Sequence, residues 1–204
     1  MTAQPNPDLA IYAVHGAFWS AFGLTLLVLR LRERGAANAS ASAPAAREEQ
    51  SAPFSRALVW FHMLAFFAMY FGIGNAVFMR RVPEWFPLQR LAGAGVIAAG
   101  AALMSWALVY FRSWRFRAKL DEGHQLATGG PFRFVRHPIY MGLNLLALGS
   151  AIWVPTAILW VAFGLMVVGS DLRGRAEEKL LSQAFGPAYR DYCARTRRFV
   201  PGVY

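Results

Sequence analysis

The protein is short of charge and has a single cysteine. Of its 204 residues, 16% are charged and 56% are hydrophobic, whereas soluble domains are about 25% charged and about 45–50% apolar. The lone Cys193 excludes an intramolecular disulfide and a zinc site built from several cysteines. Acidic residues are also few, 11 against 21 Lys and Arg, which leaves a net charge of +10. This composition predicts a polytopic membrane protein.

Long uncharged runs predict where the chain crosses the membrane. Three runs can each form a helix long enough to cross a hydrocarbon core of about 30 Å: residues 9–29, 57–79 and 91–111. A fourth uncharged stretch, residues 138–170, is too long for one span and short for two, and Pro155 interrupts it. Because proline suits the first turn of a helix, we expect a helical hairpin in which Pro155 begins the second helix. The prediction is a single all-α transmembrane domain over residues 1–204, with about five helices; a re-entrant hairpin is the alternative to one that spans fully.

The positive charges are distributed unevenly among the connections. Of the 21 Lys and Arg, 18 fall in residues 30–56, 112–137 and 171–204, which this arrangement places on one side of the membrane. The positive-inside rule makes that side cytosolic, so we expect the N-terminus outside and the C-terminus inside. Residues 35–55 are rich in Ala, Ser and Pro and predict a flexible cytosolic loop. Since the basic residues flank the spans, membrane topology explains the net charge and we expect no nucleic-acid partner.

The most cationic short motif, "PFRFVRHPIYMG", lies at the predicted cytosolic start of the fourth helix. Pro138 suits the first helical turn, whose backbone N–H groups lack partners and favour an anion. Arg136 and His137 precede it, and Tyr140 follows His137 by three residues on the same helix face. These residues predict a site for an anionic group. The alternative is that Pro138 only starts a helix while Arg136 extends to lipid headgroups.

A second charged motif, "RGRAEEKL", follows the last apolar run. Arg173 and Glu177 are four residues apart and can pair on one helix face, whereas Glu178 is rotated by about 100° from Glu177. The two carboxylates should therefore differ in role. One would face a cofactor or acceptor, and the other would brace the hairpin or a neighbouring arginine. A solvated helix end with ordinary ion pairs is the alternative.

Taken together, the two motifs resemble the isoprenylcysteine carboxyl methyltransferase family of integral-membrane enzymes. Related branches of that family include phospholipid N-methyltransferases and membrane thiol methyltransferases. The resemblance covers roughly residues 90–204. In the first motif it rests on Gly130, Pro131, Arg136, His137, Pro138, Tyr140 and Gly142. In the second it rests on Arg173, Glu177, Glu178, Leu180, Phe185, Gly186, Tyr189, Tyr192 and Pro201.

This resemblance implies S-adenosylmethionine as the methyl donor and a lipophilic methyl acceptor that enters from the bilayer. The donor would bind in a cytosol-facing region, residues 112–204, through Gly130, Arg136, His137, Tyr140, Glu178, Tyr189 and Tyr192. The two tyrosines at spacing three would close over the adenosyl group, or alternatively anchor an amphipathic helix at the interface. Gly93 and Gly95 are similar to the GxG of phospholipid N-methyltransferases and would also contact the donor. Close helix packing explains these glycines equally well.

Methyl transfer from a sulfonium requires an aligned nucleophile and the exclusion of water. We predict Arg173 and Glu177 as the catalytic residues. Arg173 would orient a carboxylate acceptor with Glu177 holding the arginine, whereas Glu177 or His137 would take a proton from a thiol or an amine. No metal site is predicted. His15 and His62 lie within the first two spans without carboxylate partners, which favours hydrogen-bonded packing over metal binding.

The acceptor and the reaction class leave alternatives open. A prenylcysteine, a phospholipid or another amine, and a thiol are all compatible with the motifs. A reductase of the sterol-reductase type that uses NADPH is a rival, although such chains are usually much longer and have more spans. A non-enzymatic membrane scaffold is the other rival. The sequence does not indicate an oligomeric state.

Overall fold

The structure is a computed structural model and describes residues 9–39, 50–51, 55–79, 87–111, 119–120 and 126–204. These residues form five α-helices: α1 (Ala10–Ala39), α2 (Ser55–Phe78), α3 (Pro87–Phe111), α4 (Pro138–Trp153) and α5 (Ala157–Arg195). Four of them, all except α4, are long and apolar enough to cross a membrane. The predicted all-α membrane fold with five helices is therefore confirmed. Its orientation and its division into regions stay predictions.

The second helix of the α4–α5 hairpin begins at Ala157, two residues later than predicted. Val154 donates its backbone N–H to Ser150 and ends α4, and Thr156 is the N-cap of α5. Pro155 therefore lies in the turn, before the second helix and not in its first turn as the sequence suggested. Proline also disfavours the helical conformation for the residue before it, Val154, which separates the two helices. α4 has only 16 residues, about 24 Å of helix, and whether the hairpin spans fully stays a prediction.

The connection after α1 differs from the predicted loop at residues 35–55. Residues 35–39 are helical because α1 continues to Ala39, and alanines in this segment favour a helix. Two-residue strands β1 (Gln50–Ser51) and β2 (Lys119–Leu120) pair antiparallel. This pair joins the α1–α2 connection to the α3–α4 connection. The two connections therefore lie on one side of the bundle, as the charge distribution predicted; residues 40–49 and 52–54 lie outside the described residues.

Glycines allow α3 and α4 to pack backbone against backbone. A Cβ at Gly93 would lie 2.7 Å from the carbonyl oxygen of Gly149, and one at Gly149 would lie 2.6 Å from that of Gly93. Gly100 and Gly142 form a second such pair, at 2.8 Å in both directions. Each pair is seven residues, or two helical turns, from the other. The small residues bring the helix axes close enough for van der Waals packing to hold them together in lipid.

Buried polar side chains tie α1 and α2 to this pair. His15 of α1 lies 3.2 Å from the Tyr70 hydroxyl through Nδ1 and 2.9 Å from the Ser150 hydroxyl through Nε2. The indole of Trp19 donates to the same Tyr70 hydroxyl. Three helices are thus connected by hydrogen bonds within their apolar segments, where an unpaired polar group is costly. The sequence-based expectation of hydrogen bonding for His15 is confirmed.

Candidate active site

A short 3-10 helix, Gly130–Arg133, leads into the first motif. Gly130 has φ +56°, and a Cβ there would lie 2.5 Å from the ring of Tyr110. Both facts require glycine, because other residues rarely adopt this φ and no space remains for a side chain. The hydroxyl of Tyr192 donates to the carbonyl of Phe132 at 2.7 Å. The approach to α4 is therefore fixed by contacts with α3 and with the end of α5.

The C-terminal segment pairs with the first motif along the backbone. Val135 and Arg197 form a parallel β-bridge. The backbone N–H groups of Arg136 and His137 donate to the carbonyls of Arg197 and Arg198, at 2.8 and 3.2 Å. Because these bonds hold the main chain, the Arg136 and His137 side chains point from a fixed backbone towards α5.

Glycine also permits the contact between α5 and His137. A Cβ at Gly174 would lie 3.3 Å from two atoms of the His137 ring and 3.4 Å from Cδ of Arg198. His137 itself is buried. One turn after Gly174, Glu177 and Glu178 reach the two nitrogens of the same ring.

Glu178 is surrounded by positively charged groups. Its Oε1 accepts from Arg136 Nε at 2.8 Å and lies 3.2 Å from His137 Nε2. Arg198 binds both carboxylate oxygens, at 3.0 Å to Oε1 and 2.7 Å to Oε2. Arg198 also donates to Asp171 at 2.8 Å. Glu178 is therefore the carboxylate that braces the hairpin and neighbouring arginines, one of the two roles that the sequence could not divide between the glutamates.

Glu177 lies on the other side of the His137 ring. One of its oxygens accepts the hydroxyl hydrogen of Tyr140, and the other lies 3.5 Å from His137 Nδ1. The guanidinium of Arg173 stands 5.0 Å from the centre of the Tyr140 ring, within cation–π distance. Tyr140 therefore contacts both predicted catalytic residues. The Glu177 side chain is 24% exposed, against 14% for Glu178, so Glu177 is the carboxylate more available to a ligand.

The two glutamates determine the charge of His137. Burial alone lowers the pKa of this imidazole, but hydrogen bonds to Glu177 and Glu178, and their negative charges, outweigh burial and raise the pKa above its usual value. As an imidazolium, His137 can donate from both ring nitrogens, one towards each carboxylate. On the far side of the cluster, the hydrogen bond to Glu178 raises the pKa of Arg198.

The structure brings six of the predicted site residues into one cluster: Arg136, His137, Tyr140, Arg173, Glu177 and Glu178. Tyr189 and Tyr192 are buried after a kink at Gly186, where φ is +50°, and their rings contact each other at 6.0 Å. Both follow the kink that returns the chain towards the first motif. Gly130 supports that motif from the α3 side.

Gly93 and Gly95 lie apart from this cluster. Gly93 contacts Gly149 and Trp153 in the half of α4 remote from His137. Gly149 is roughly 18 Å from His137 along the helix axis. Gly95 is exposed, and outside its own stretch of helix no atom of the described residues lies within 4 Å of a Cβ built on it. The geometry therefore favours helix packing for Gly93, the alternative that the sequence left open. Among the described residues it shows no contact between Gly95 and the cluster.

The sequence did not single out Arg198, Asp171 or Tyr204. The Tyr204 hydroxyl donates to Asp171 at 2.7 Å and accepts from Arg198 at 2.6 Å and from Arg175 at 2.9 Å. Charge alone could not identify Arg198, since it lies in a tail with other arginines. Only the return of the chain after Gly186 brings it to Glu178.

His62 extends the cluster into the bundle. Its ring centre is 6.0 Å from that of Tyr140, its Nδ1 lies 3.3 Å from the Leu58 carbonyl, and its Nε2 lies 3.5 Å from the Ser170 hydroxyl. Ser170 in turn donates to Asn144 at 2.8 Å. His62 is thus a hydrogen-bonded packing residue, as the sequence indicated.

The clustered charges fit S-adenosylmethionine. The donor carries a carboxylate, an ammonium and a positive sulfonium. Arg136 supplies a cation suited to the carboxylate of the donor, and the partly exposed Glu177 supplies the negative charge that an ammonium or a sulfonium requires. The Tyr140 ring, lying between Arg173 and Glu177, offers an aromatic face. The described residues therefore contain every charge type that this donor needs.

The fold and the cluster define a class: a multi-pass, all-helical membrane protein with an acid–base cluster where its last two helices leave their apolar segments. Comparison with known proteins shows what this region resembles. The family model for phospholipid methyltransferases matches residues 88–188. This range holds the first motif and most of the second. Over these residues the chain therefore matches a family of membrane methyltransferases.

Curated relatives and a solved structure agree with that match. Protein-S-isoprenylcysteine O-methyltransferase B of Arabidopsis thaliana is 32% identical over 116 residues, which cover 54% of this chain and 58% of that protein. Protein-S-isoprenylcysteine O-methyltransferase of Schizosaccharomyces pombe is 28% identical over 120 residues, or 57% of this chain and 51% of that protein. The chain thus spans about half the length of these relatives.

Two further matches are a metal-resistance protein and a solved structure. The cobalt-zinc-cadmium resistance protein CzcN of Cupriavidus metallidurans is 36% identical over 84 residues, covering 39% of this chain and 37% of that protein. A solved eukaryotic intramembrane Ras methyltransferase, isoprenylcysteine carboxyl methyltransferase, matches with a TM-score of 0.63. The match covers 99% of this chain and 70% of that one at 16% sequence identity, and so shows a shared fold.

Proposed function

We propose that the chain is an S-adenosylmethionine-dependent methyltransferase that methylates a lipophilic acceptor, in the manner of isoprenylcysteine carboxyl methyltransferases. The observation that carries the proposal is the arrangement of Glu177, Tyr140 and Arg173 beside the His137 imidazole. All four residues lie in the region that matches the methyltransferase family. The names of the curated relatives support a prenylcysteine carboxylate as the acceptor.

In this proposal each residue has a defined task. S-adenosylmethionine, when bound, supplies a methyl group on a positively charged sulfur. Arg173 orients the acceptor carboxylate by a charge-assisted hydrogen bond. Glu177, held by Tyr140 and His137, keeps a negative charge next to the donor and, for a thiol or amine acceptor, takes up the released proton. Glu178 and its arginines keep the His137 ring in place.

A cytosolic location of the site and a lateral path for the acceptor belong to the same proposal. The excess of Lys and Arg on the connections next to the site supports the cytosolic side. A tag after Tyr204 should react with an impermeant reagent only after cells are opened. Labelling in intact cells would contradict this orientation.

The direct test is transfer of a radiolabelled methyl group from S-adenosylmethionine by the purified protein in lipid vesicles. Three acceptors are compared: a prenylated cysteine, phosphatidylethanolamine and a long-chain thiol. We expect the prenylcysteine to be methylated fastest. A phospholipid acceptor is the second candidate, because the matching family model describes phospholipid methyltransferases. Turnover of phosphatidylethanolamine alone would assign the protein to that branch.

Two substitutions test the assigned residues. Glu177→Gln and Arg173→Ala should each lower turnover by about 10²-fold or more, the size of effect that a positioned acid–base or orienting group gives. Asp191→Asn and Lys179→Ala remove the same charges from exposed positions on the same helix and should leave turnover unchanged. A folded Glu177→Gln or Arg173→Ala variant with normal turnover would show that the residue has no catalytic role.

Ligand binding separates the enzyme from its two rivals. Thermal unfolding in detergent is measured with S-adenosylhomocysteine, with NADPH and with haem, because a ligand that binds the native state raises the unfolding temperature. We expect stabilisation by S-adenosylhomocysteine. Stabilisation by NADPH alone would indicate a reductase, and a lack of response to all three ligands would indicate a scaffold.

A further inference from the structure

The C-terminal segment, residues 196–204, closes one side of the candidate site. It contributes the carbonyl partners of the Arg136 and His137 backbone N–H groups. The ring of Phe199 is buried and lies 5.8 Å from that of His137. The segment ends in a turn in which the N–H groups of Phe199 and Val200 both donate to the Tyr204 carbonyl, at 2.7 and 2.6 Å. It is therefore an ordered part of the site.

Arg198 is the charged contact between this segment and α5. Its guanidinium contacts both oxygens of Glu178, one oxygen of Asp171 and the Tyr204 hydroxyl. Its side chain is 13% exposed and that of Glu178 is 14% exposed. A bidentate pair with this little solvent has both a defined geometry and weak screening. Loss of either partner would leave a nearly buried charge with fewer counter-charges.

A series of side-chain contacts leads from Arg198 to the proposed reaction centre. Arg198 fixes Glu178, and Glu178 lies 3.2 Å from Nε2 of the His137 ring. The opposite nitrogen of that ring, Nδ1, then faces Glu177. Since an imidazole is rigid and planar, the position of one nitrogen determines the direction of the other. A displacement of Arg198 is therefore transmitted to the carboxylate that the proposed function uses.

We propose that Arg198 is a positioning residue of the methyltransferase, which aligns Glu177 through Glu178 and His137 without touching donor or acceptor. The inference rests on the proposed function for its catalytic consequence. Its structural part concerns only the contacts of residues 196–204 with the first motif and α5. The two parts can therefore be tested separately.

The experiment compares Arg198→Gln with Arg198→Lys and with a neighbouring control, Arg197→Gln. The Arg197 side chain is exposed, and only its backbone carbonyl contacts the first motif, so its replacement removes the same charge and keeps that bond. In hydrogen–deuterium exchange, Arg198→Gln should speed exchange of the Arg136 and His137 amides on the order of tenfold, whereas Arg197→Gln should not. This measurement requires no activity.

Methyl transfer then tests the catalytic part. Arg198→Gln should lower kcat by about 10- to 100-fold, because small misplacements of reacting groups have effects of this size. The KM for the acceptor should stay within about threefold of the wild type, since Arg198 does not contact it. Arg198→Lys should restore part of kcat, because an ammonium keeps one charge contact to Glu178. A merely destabilised protein would not show this separation of kcat from KM.

The outcomes distinguish the two proposals. If Arg198→Gln matches Arg197→Gln in both exchange and kcat, Arg198 is not a positioning residue. If exchange rises while the wild type methylates none of the acceptors, the proposed function fails and the structural part stands. If Arg198→Gln does not fold, Arg198→Lys, which keeps the charge but loses the two-point contact with Glu178, takes its place. A kcat equal to the wild type in that folded variant, with unchanged exchange at Arg136, would overturn the inference.

Discussion

Replacing Gly93 by alanine tests the close packing of α3 against α4 and the alternative role of this glycine in donor binding. The new Cβ would lie 2.7 Å from the Gly149 carbonyl oxygen, 2.9 Å from Cβ of Trp153 and 3.0 Å from its backbone nitrogen. Real Cβ atoms do not approach backbone atoms this closely, and a carbonyl in a helix cannot rotate away. The two helices must therefore separate or tilt along their contact.

The matched control is Gly95→Ala, two residues further along α3. In the part of the chain that the structure describes, nothing beyond its own helix lies within 4 Å of a Cβ at Gly95. Alanine there therefore only adds its higher helix propensity, a gain of about 1 kcal/mol. Gly93→Ala has the same gain, but the added methyl must also be accommodated at a cost of about 1–3 kcal/mol. The difference in the free energy of unfolding between the two variants isolates the packing cost, since the propensity gain is common to both.

The assay is unfolding of the purified protein in mixed micelles, followed by circular dichroism, together with S-adenosylhomocysteine binding in the same micelles. We expect Gly93→Ala to be less stable than Gly95→Ala by about 1–3 kcal/mol, with unchanged ligand affinity in the folded protein. Equal stabilities would refute the steric argument. A loss of affinity in a Gly93→Ala variant as stable as Gly95→Ala would instead support the donor-binding role that the GxG pattern suggested.

Three further predictions concern other parts of the molecule. The folded pKa of His137 is raised, so the contribution of this residue to stability should be complete below its usual pKa of about 6.5 and be lost as the pH rises through the higher folded value. The unfolding free energies of the wild type and His137→Gln, measured across pH, should therefore converge on the alkaline side. Divergence on that side would contradict this reasoning. Gly186→Ala should cost about 1–3 kcal/mol because φ is +50° and ψ is −120°. By the same assay Gly164→Ala, in open space on the same helix, should stabilise by about 1 kcal/mol, as Gly95→Ala does. Ser150→Ala removes the hydroxyl 2.9 Å from His15 Nε2 and should destabilise by about 0.5–2 kcal/mol; a neutral result would show that the bond adds no stability.

The helices and the core of the site could be predicted from the sequence because local patterns determine them. Uncharged runs located α1 to α5. The adjacent positions of Glu177 and Glu178 indicated that the two carboxylates have different partners, as the structure shows, since a helix directs adjacent side chains about 100° apart. The sequence did not show which glutamate takes which role. That depends on Arg198, which is brought to Glu178 by a kink at Gly186 and a β-bridge to Val135.

Other differences arise from signals that have two physical causes. Glycines spaced for phosphate or donor contacts are also suited to close helix packing, and only the partner helix distinguishes them, as Gly149 does for Gly93. Proline favours both a helix start and a tight turn, and Pro155 occupies the turn. Alanines suit flexible loops and helices alike, which explains why α1 extends to Ala39.

Under the proposed function, the shortness of α4 would set the depth of the charged cluster in the bilayer. A helix of 16 residues is about 24 Å long, some 6 Å less than an average hydrocarbon core of about 30 Å. If the turn at Pro155 reaches the far headgroups, the charged cluster at His137 lies below the near ones unless the membrane thins there. A cluster at this depth would let a water-soluble donor meet an acceptor anchored by its tail, while the donor stays in water and the tail stays in lipid. Bilayer thickness would then become a determinant of turnover, since each ångström of mismatch costs a fraction of a kcal/mol.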